Sequence, residues 1–189
     1  MSDAARAREV AGRRPRRFRA ETLILPLVAL LSLAVDQASK GLVVARLTWG
    51  QSMDLASWLA PILRITYVTN RGMAFGLLQG LGDLFIFVAP VVVLLLLLYY
   101  RHIPPGNVLL RVALGLQVGG ALGNLVDRLT RGAVVDFIDL NFWPMRGWPV
   151  FNLADASIVT GVGLLIPVSY THLRAHETRH DLVCRLLLE

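Results

Sequence analysis

The sequence predicts an all-α membrane protein with four transmembrane helices and a small extracytoplasmic element containing β-structure. Three observations carry that prediction. The chain of 189 residues is 55% hydrophobic and 17% charged, with a mean hydropathy of +0.58, well to the apolar side of a soluble domain. The apolar residues gather in near-continuous runs rather than in the interrupted stripes of a soluble core. Seven arginines (Arg6, Arg8, Arg13, Arg14, Arg16, Arg17 and Arg19) precede the first run. Beside a span, such a cluster holds a terminus in the cytoplasm and attracts anionic lipid. It has no interleaved aromatics beyond Phe18 and no recognisable nucleic-acid-binding fold, so no nucleic-acid partner is expected.

Residues 1–21 are polar and basic and read as a disordered cytoplasmic arm. A single membrane domain follows, over residues 22–168. Its first span starts near Leu23 and continues to about Leu47. The basic start and Ser32-Leu33-Ala34 imitate a cleavable signal, but further spans follow, so an uncleaved helix is expected. Within it Asp36, Gln37 and Lys40 form a polar turn, with Asp36 and Lys40 at i,i+4. Two readings stay open: a self-contained ion pair that lowers the insertion cost, or a polar face aimed into a site.

Residues 48–71 hold no span, and ILRITYVTN has the β-branched and aromatic content of one or two short strands outside the bilayer. Trp49 and Trp58 suit the interface. The segment Asn70 to Gly76, NRGMAFG, is turn-like. The second span, Leu84 to Tyr100, is followed by RHIPPGN, whose basic flank puts it on the cytoplasmic side. The third span covers about Val108 to Val126, with Gly115, Gly119 and Gly123 spaced four apart on one face for close helix approach. Asn124, Asp127 and Arg128 form a polar patch at its outer end, and residues 129–150 read as an aromatic-rich outer loop holding Asp136. The fourth span runs from near Phe151 to Val168, with Asn152 and Asp155 on one face. Residues 169–189 change character abruptly and read as a non-native polar tail, like adapter read-through at the end of an environmental sequence.

The single cysteine, Cys184, excludes an internal disulfide and a cysteine-based metal site. His176-Glu177-Thr178-Arg179-His180 matches the H-E-x-x-H zinc pattern. It sits in the tail with no evident third ligand, so neither a metal nor a cofactor is expected. The better chemical candidates are Asp136 and Asp155, each at the edge of an apolar run. Ionisable groups at membrane depth are costly and therefore functional candidates. Two carboxylates held close share a proton, and the ionised member can activate water while the protonated one polarises a carbonyl. Spacing alone also permits Asp136 to cap a turn and Asp155 to pair with Arg128. A small ion- or proton-coupled transporter is the alternative from another class, since buried Asp and Arg also mark permeation routes; no internal repeat supports it.

Five blocks in order, DQASK (36–40), NRGMAFG (70–76), GGALGNLVDRL (119–129), GAVVDF (132–137) and FNLADA (151–156), make residues 22–168 closely resemble bacterial lipoprotein signal peptidase, the signal peptidase II family. The resemblance implies a four-helix aspartic endopeptidase of the bacterial cytoplasmic (inner) membrane, N-terminus inside, with its site near the outer face. Its substrate would be a lipid-modified prolipoprotein, cut just before the diacylglyceryl-modified cysteine, and membrane lipids would be its other partners. The resemblance makes Asp136 and Asp155 the catalytic dyad. Asn152, Asn124 and Arg128 would line or order the site, Asn70 and Gly72 would lie near the substrate, and Asp36 and Lys40 would form the polar turn of the first helix. These seven are the expected substrate-binding set, in a monomer. The family's fourth helix continues past the equivalent of Val168 to a basic end, whereas this apolar run stops there.

Overall fold

The computed structural model describes residues 20–72, 82–104 and 106–166. Most of the basic arm, residues 73–76 of NRGMAFG and the tail with its H-E-x-x-H sequence lie outside them. A short 3-10 turn, Ala20–Leu23, leads into helix α1, Ile24–Arg46. Strands β1 (Ser52–Met53) and β2 (Leu63–Asn70) follow, then helices α2 (Gly82–Tyr100) and α3 (Val108–Arg131). Strand β3, Val134–Leu140, precedes α4, described over Leu153–Ile166.

Two helices, Ala20–Arg46 and Val108–Arg131, are long and apolar enough to cross a membrane, and Leu84–Tyr100 and Leu153–Ile166 are shorter apolar helices. Their outward faces are apolar: Leu27, Leu30 and Leu31 on α1, Phe87, Val91 and Leu95 on α2, and Val159, Val162 and Ile166 on α4 are all exposed. The fully buried side chains include Lys40, Asp36, Asp127 and Asn152. Charge inside and large apolar groups outside invert the usual soluble distribution and suit a hydrocarbon surround.

The glycines of α3 explain how the helices close on one another. A β-carbon at Gly115 would lie 2.8 Å from Val28 Cβ, and one at Gly119 would lie 2.6 Å from the Ala29 carbonyl oxygen, so this face seats α1. The neighbouring face seats α4, where a β-carbon at Gly120 would come 2.4 Å from the Ala154 carbonyl oxygen. Gly161 returns the contact from α4, 2.6 Å from the Ala113 carbonyl oxygen. Ser32 Oγ donates to Ser157 Oγ at 2.9 Å, joining α1 directly to α4. Small residues permit this backbone approach. Gly120→Ala therefore meets backbone rather than a flexible side chain and is expected to cost about 1–3 kcal/mol by overpacking. Gly163→Ala, with nothing within 4 Å of the added carbon, is the matched control. Thermal unfolding in detergent reads the difference, and equal midpoints for the two variants would refute it.

Helix α3 continues beyond the predicted end at Val126, to Arg131, because the helical backbone persists after the apolar run ends. It stops at Gly132, whose φ of 73° is left-handed and whose N–H returns to the Arg128 carbonyl at 3.2 Å. That cap turns the chain into β3. The segment 129–150, expected as a loop, thus contains a strand: VVDFIDL carries β-branched and aromatic residues at strand density.

The sheet is antiparallel in the order β1-β2-β3. Leu63 pairs with Leu140 and Ile65 with Ile138, and then Val68 pairs with Asp136 and Asn70 with Val134. Three steps on β2 match two on β3 between those pairs, so β2 carries a bulge beside Asp136. Two apolar clusters hold the ends of the molecule. Leu25, Ile103, Leu110 and Leu114 pack at one end, and Val43, Leu47, Ile65 and Phe137 join α1 to the sheet at the other.

Candidate functional site

Asp136 and Asp155 are brought together by backbone pairing that the sequence alone does not reveal. On the edge of β3 away from β2, Phe151 bridges Ile138. The N–H groups of Phe137 and Ile138 donate to the Phe151 carbonyl at 2.9 and 2.7 Å, and Phe151 N–H returns to the Ile138 carbonyl at 3.1 Å. The next residue, Asn152, caps α4: its Oδ1 accepts the Asp155 N–H at 2.9 Å. Its Nδ2 donates to Asp136 Oδ1 at 2.6 Å and to Asn124 Oδ1 at 3.2 Å. One side chain therefore fixes the strand carboxylate, the helix start that carries the second carboxylate, and an amide from α3.

Asn124 completes the arrangement. Its Oδ1 also accepts from Lys40 Nζ at 3.1 Å, and its Nδ2 donates to Asp155 Oδ1 at 2.7 Å. With two donors on its oxygen, the amide has one orientation, and its NH2 faces Asp155. Asp136 is buried, at 2% exposure, whereas Asp155 is only partly covered. Burial pushes the Asp136 carboxyl up to about 7, and the neighbouring Asp155 charge adds to the rise. Hydrogen bonds from Asn152 and Asn70 and the Lys40 charge oppose it.

The two readings of the polar turn on α1 prove to be parts of one arrangement. Asp36 and Lys40 do pair at i,i+4, at 2.8 Å and fully buried. They also reach the site: Lys40 contacts Asn124, and Asp36 Oδ1 accepts the Ala154 N–H at the start of α4, at 2.9 Å. A buried N–H in the first helical turn, which has no partner within its own helix, is thereby satisfied by a carboxylate from another helix. Both side chains are enclosed by protein.

The polar patch at 124–128 splits between two faces. Asn124 and Asp127 point inward to Lys40. The Arg128 guanidinium lies 5.2 Å over the Phe85 ring and donates to the carbonyls of Asn124 at 3.3 Å and Gly72 at 3.4 Å. Asp136 sits mid-strand rather than at a turn. Asn70 Oδ1 accepts the Gly72 N–H at 2.9 Å, an Asx turn that closes the end of β2 beside Asp136. Gln37, part of the polar turn read from the sequence, joins this network, as does Asp127, which the sequence placed only in the polar patch and not in the site. The Asp127–Arg131 spacing of i,i+4 was the available signal.

Comparison with known proteins identifies relatives of the whole membrane domain. The family model described as signal peptidase (SPase) II matches residues 28–171. The lipoprotein signal peptidase of Moorella thermoacetica is 47% identical over 139 residues, covering 74% of this chain and 87% of that protein. That of Halothermothrix orenii is 43% identical over 140 residues, covering 74% of this chain and 90% of its own length. A bacterial membrane enzyme solved by the in meso method at 2.3 Å resolution superposes with a TM-score of 0.68 at 32% identity, covering 78% of this chain and 87% of that one. On the length and identity of these matches, the chain belongs to the signal peptidase II family.

Proposed function

We propose that this protein is an aspartic endopeptidase of the bacterial cytoplasmic membrane that removes signal peptides from lipid-modified prolipoproteins, cutting before the lipidated cysteine. Asp136 and Asp155 are its catalytic pair. The observation that carries this reading is Asn152, whose one side chain holds Asp136 Oδ1 at 2.6 Å and the Asp155 N–H at 2.9 Å. Four membrane crossings, α1 to α4, put both termini in the cytoplasm and the sheet with the dyad at the outer face, in keeping with the arginines before α1 and Arg101 after α2.

The local charge balance supports a pair that shares one proton. Asp36, Asp127, Asp136 and Asp155 sit near Lys40, Arg128 and Arg131. One proton on the dyad leaves three carboxylates against three cations, and a neutral cluster is the least costly to bury. Asp136 is its resting place, because burial and the Asp155 charge raise that carboxyl to about 7. Asp155, partly open and held by Asn124, takes the proton of a bound water while Asp136 donates toward the scissile carbonyl oxygen. Collapse of the tetrahedral adduct then requires that a proton reach the departing nitrogen, which Asp155 now carries. Arg128 with the Asn70–Gly72 turn lines the substrate path, whereas Asp36 and Lys40 order the site from behind.

Incubation of the purified protein with a lipidated prolipoprotein tests the activity, and absence of the shortened product in a correctly inserted preparation would sink the reading. The pH profile tests the proton assignment. Activity is expected to fall above about pH 7, where Asp136 loses its proton, by about tenfold per pH unit. A rate constant level to the limit of protein stability would contradict it.

A further inference from the structure

We propose that the end of the bundle opposite the sheet holds a binding site for a phosphate group, built around Arg111 at the start of α3. The inference is independent of the peptidase reading, because it concerns the other end of the molecule and its test reads binding rather than cleavage. Arg111 is buried, at 6% exposure. Among the described residues it has no carboxylate partner, and its buried Nε has no hydrogen-bond partner. Its Nη2 donates to the Pro104 carbonyl at 3.4 Å, a long bond, and its guanidinium carbon lies 5.1 Å from the centroid of the Tyr100 ring. The Tyr100 hydroxyl is tied in turn to the Thr22 carbonyl at 2.9 Å, so the stacked pair is held from α2 and from the turn before α1. The carboxylate of Glu21, at this same end, accepts the Gly106 N–H at 2.7 Å and is not paired with Arg111.

A charge taken out of water ordinarily brings a partner with it. Here the surroundings add to the excess instead. The N-terminus of a helix is partly positive, and the first turn of α3 holds no acidic residue to balance it. Arg101, exposed just past the end of α2, is a further cation. Helical side chains lean toward the N-terminus, so the guanidinium reaches back to the 101–107 loop, where its contact with Pro104 lies. Pro104 and Gly106 are exposed, which leaves that charge just beneath the surface. A phosphate group meets all three features at once: a planar fork of donors, a helix start and an unbalanced cation. Apolar surface flanks the loop, with Leu98 and Tyr99 of α2 and Val108 and Leu109 of α3 all exposed. Such surface suits acyl chains, and it sets the Arg111 side chain at the depth of lipid headgroups. By the proposed crossings this is the cytoplasmic leaflet, where anionic lipid collects.

The experiment follows thermal unfolding of the full chain, delipidated in a maltoside detergent. Three additions are compared: phosphatidylglycerol, phosphatidylcholine, and sodium phosphate matched in ionic strength by chloride. At about ten times its dissociation constant, a one-site ligand is expected to raise the midpoint by about 3–5 °C. Phosphatidylglycerol is expected to give a saturable rise of that size, and zwitterionic phosphatidylcholine at most about a third of it at equal concentration. A saturable rise with sodium phosphate alone sustains the site and assigns it to a free anion, whereas no rise with either anion overturns it. Arg111→Gln is expected to lose the rise, and a rise kept in that variant overturns the proposal. Arg13→Gln with Arg14→Gln, in the basic arm, is expected to keep it, and loss of the rise there overturns the proposal by assigning the lipid to the arm. Should Arg111→Gln not fold, Arg111→Lys decides alone. It keeps the charge but lacks the planar fork, and is expected to raise the half-saturating concentration about tenfold; an unchanged value overturns the proposal.

Discussion

Asp136→Asn and Asp155→Asn are each expected to abolish cleavage, by about four orders of magnitude, with the double variant little worse than either single one. Groups that act as a unit lose their contribution together, so non-additivity is the sharper part of this prediction. Single-turnover assays on protein shown to be inserted and monodisperse would measure it. Substantial residual cleavage by one variant would assign the chemistry to the other residue alone. The Asp136 substitution also has a predicted effect on stability. The folded carboxyl keeps its proton to about pH 7, against an ordinary value of 3.8. Between those values the folded state binds more protons than the unfolded one, so stability falls as pH rises through that window, at most about 1.4 kcal/mol per pH unit. Asp136→Asn removes that slope and is expected to match or exceed wild-type stability at pH 8, although it is inactive. A wild-type slope that persists in the variant would assign it to another group.

Lys40→Met is expected to destabilise the protein more than any other single substitution considered, by about 3–5 kcal/mol. Methionine fits the volume but removes the ammonium 2.8 Å from Asp36 and 3.0 Å from Asp127, both fully buried. Asp127 would keep Arg131, but Asp36 would be left with neutral donors, the Ala154 N–H and Gln37 Nε2. The cost lies in the stranded carboxylate rather than in the lost attraction. For that reason Lys40→Met combined with Asp36→Leu should recover part of the loss, even though it removes more polar groups. Unfolding in detergent compares the two, and a double variant less stable than the single one would show that the pair itself supplied the stability.

The helices were legible because an apolar run long enough to cross hydrocarbon has few other uses, and the runs at 23–47, 84–100 and 108–126 lie within or close to α1, α2 and α3. The polar turn at 36–40 was legible as unusual but not as to partner, since i,i+4 spacing accounts for one contact of Lys40 and none of those to α3. β3 was missed for a different reason. Its pairing with β2 spans about seventy residues, and its second edge is closed by Phe151, a residue that looks like the start of a helix. The glycine period located the close-packed face on α3, but only the structure divides it, with Gly115, Gly119 and Gly123 toward α1 and Gly120 toward α4. Asp136 and Asp155 were identifiable by charge in apolar surroundings. What brings them together, Asn152 as cap and clamp at once, is a property of three-dimensional convergence and has no local pattern.

On the proposed dyad, the Asn152 clamp also sets when the enzyme becomes competent during its own synthesis. A ribosome delivers Asp36, Lys40, Asn124 and Asp136 well before Asn152 and Asp155. Until Phe151 pairs with Ile138 and α4 winds its first turn, the strand carboxylate lacks its 2.6 Å amide donor and Asp36 lacks the Ala154 N–H. If Asp136 and Asp155 act as the proposed pair, a nascent chain paused before α4 is a silent protease, and hydrolytic power appears only when α4 docks.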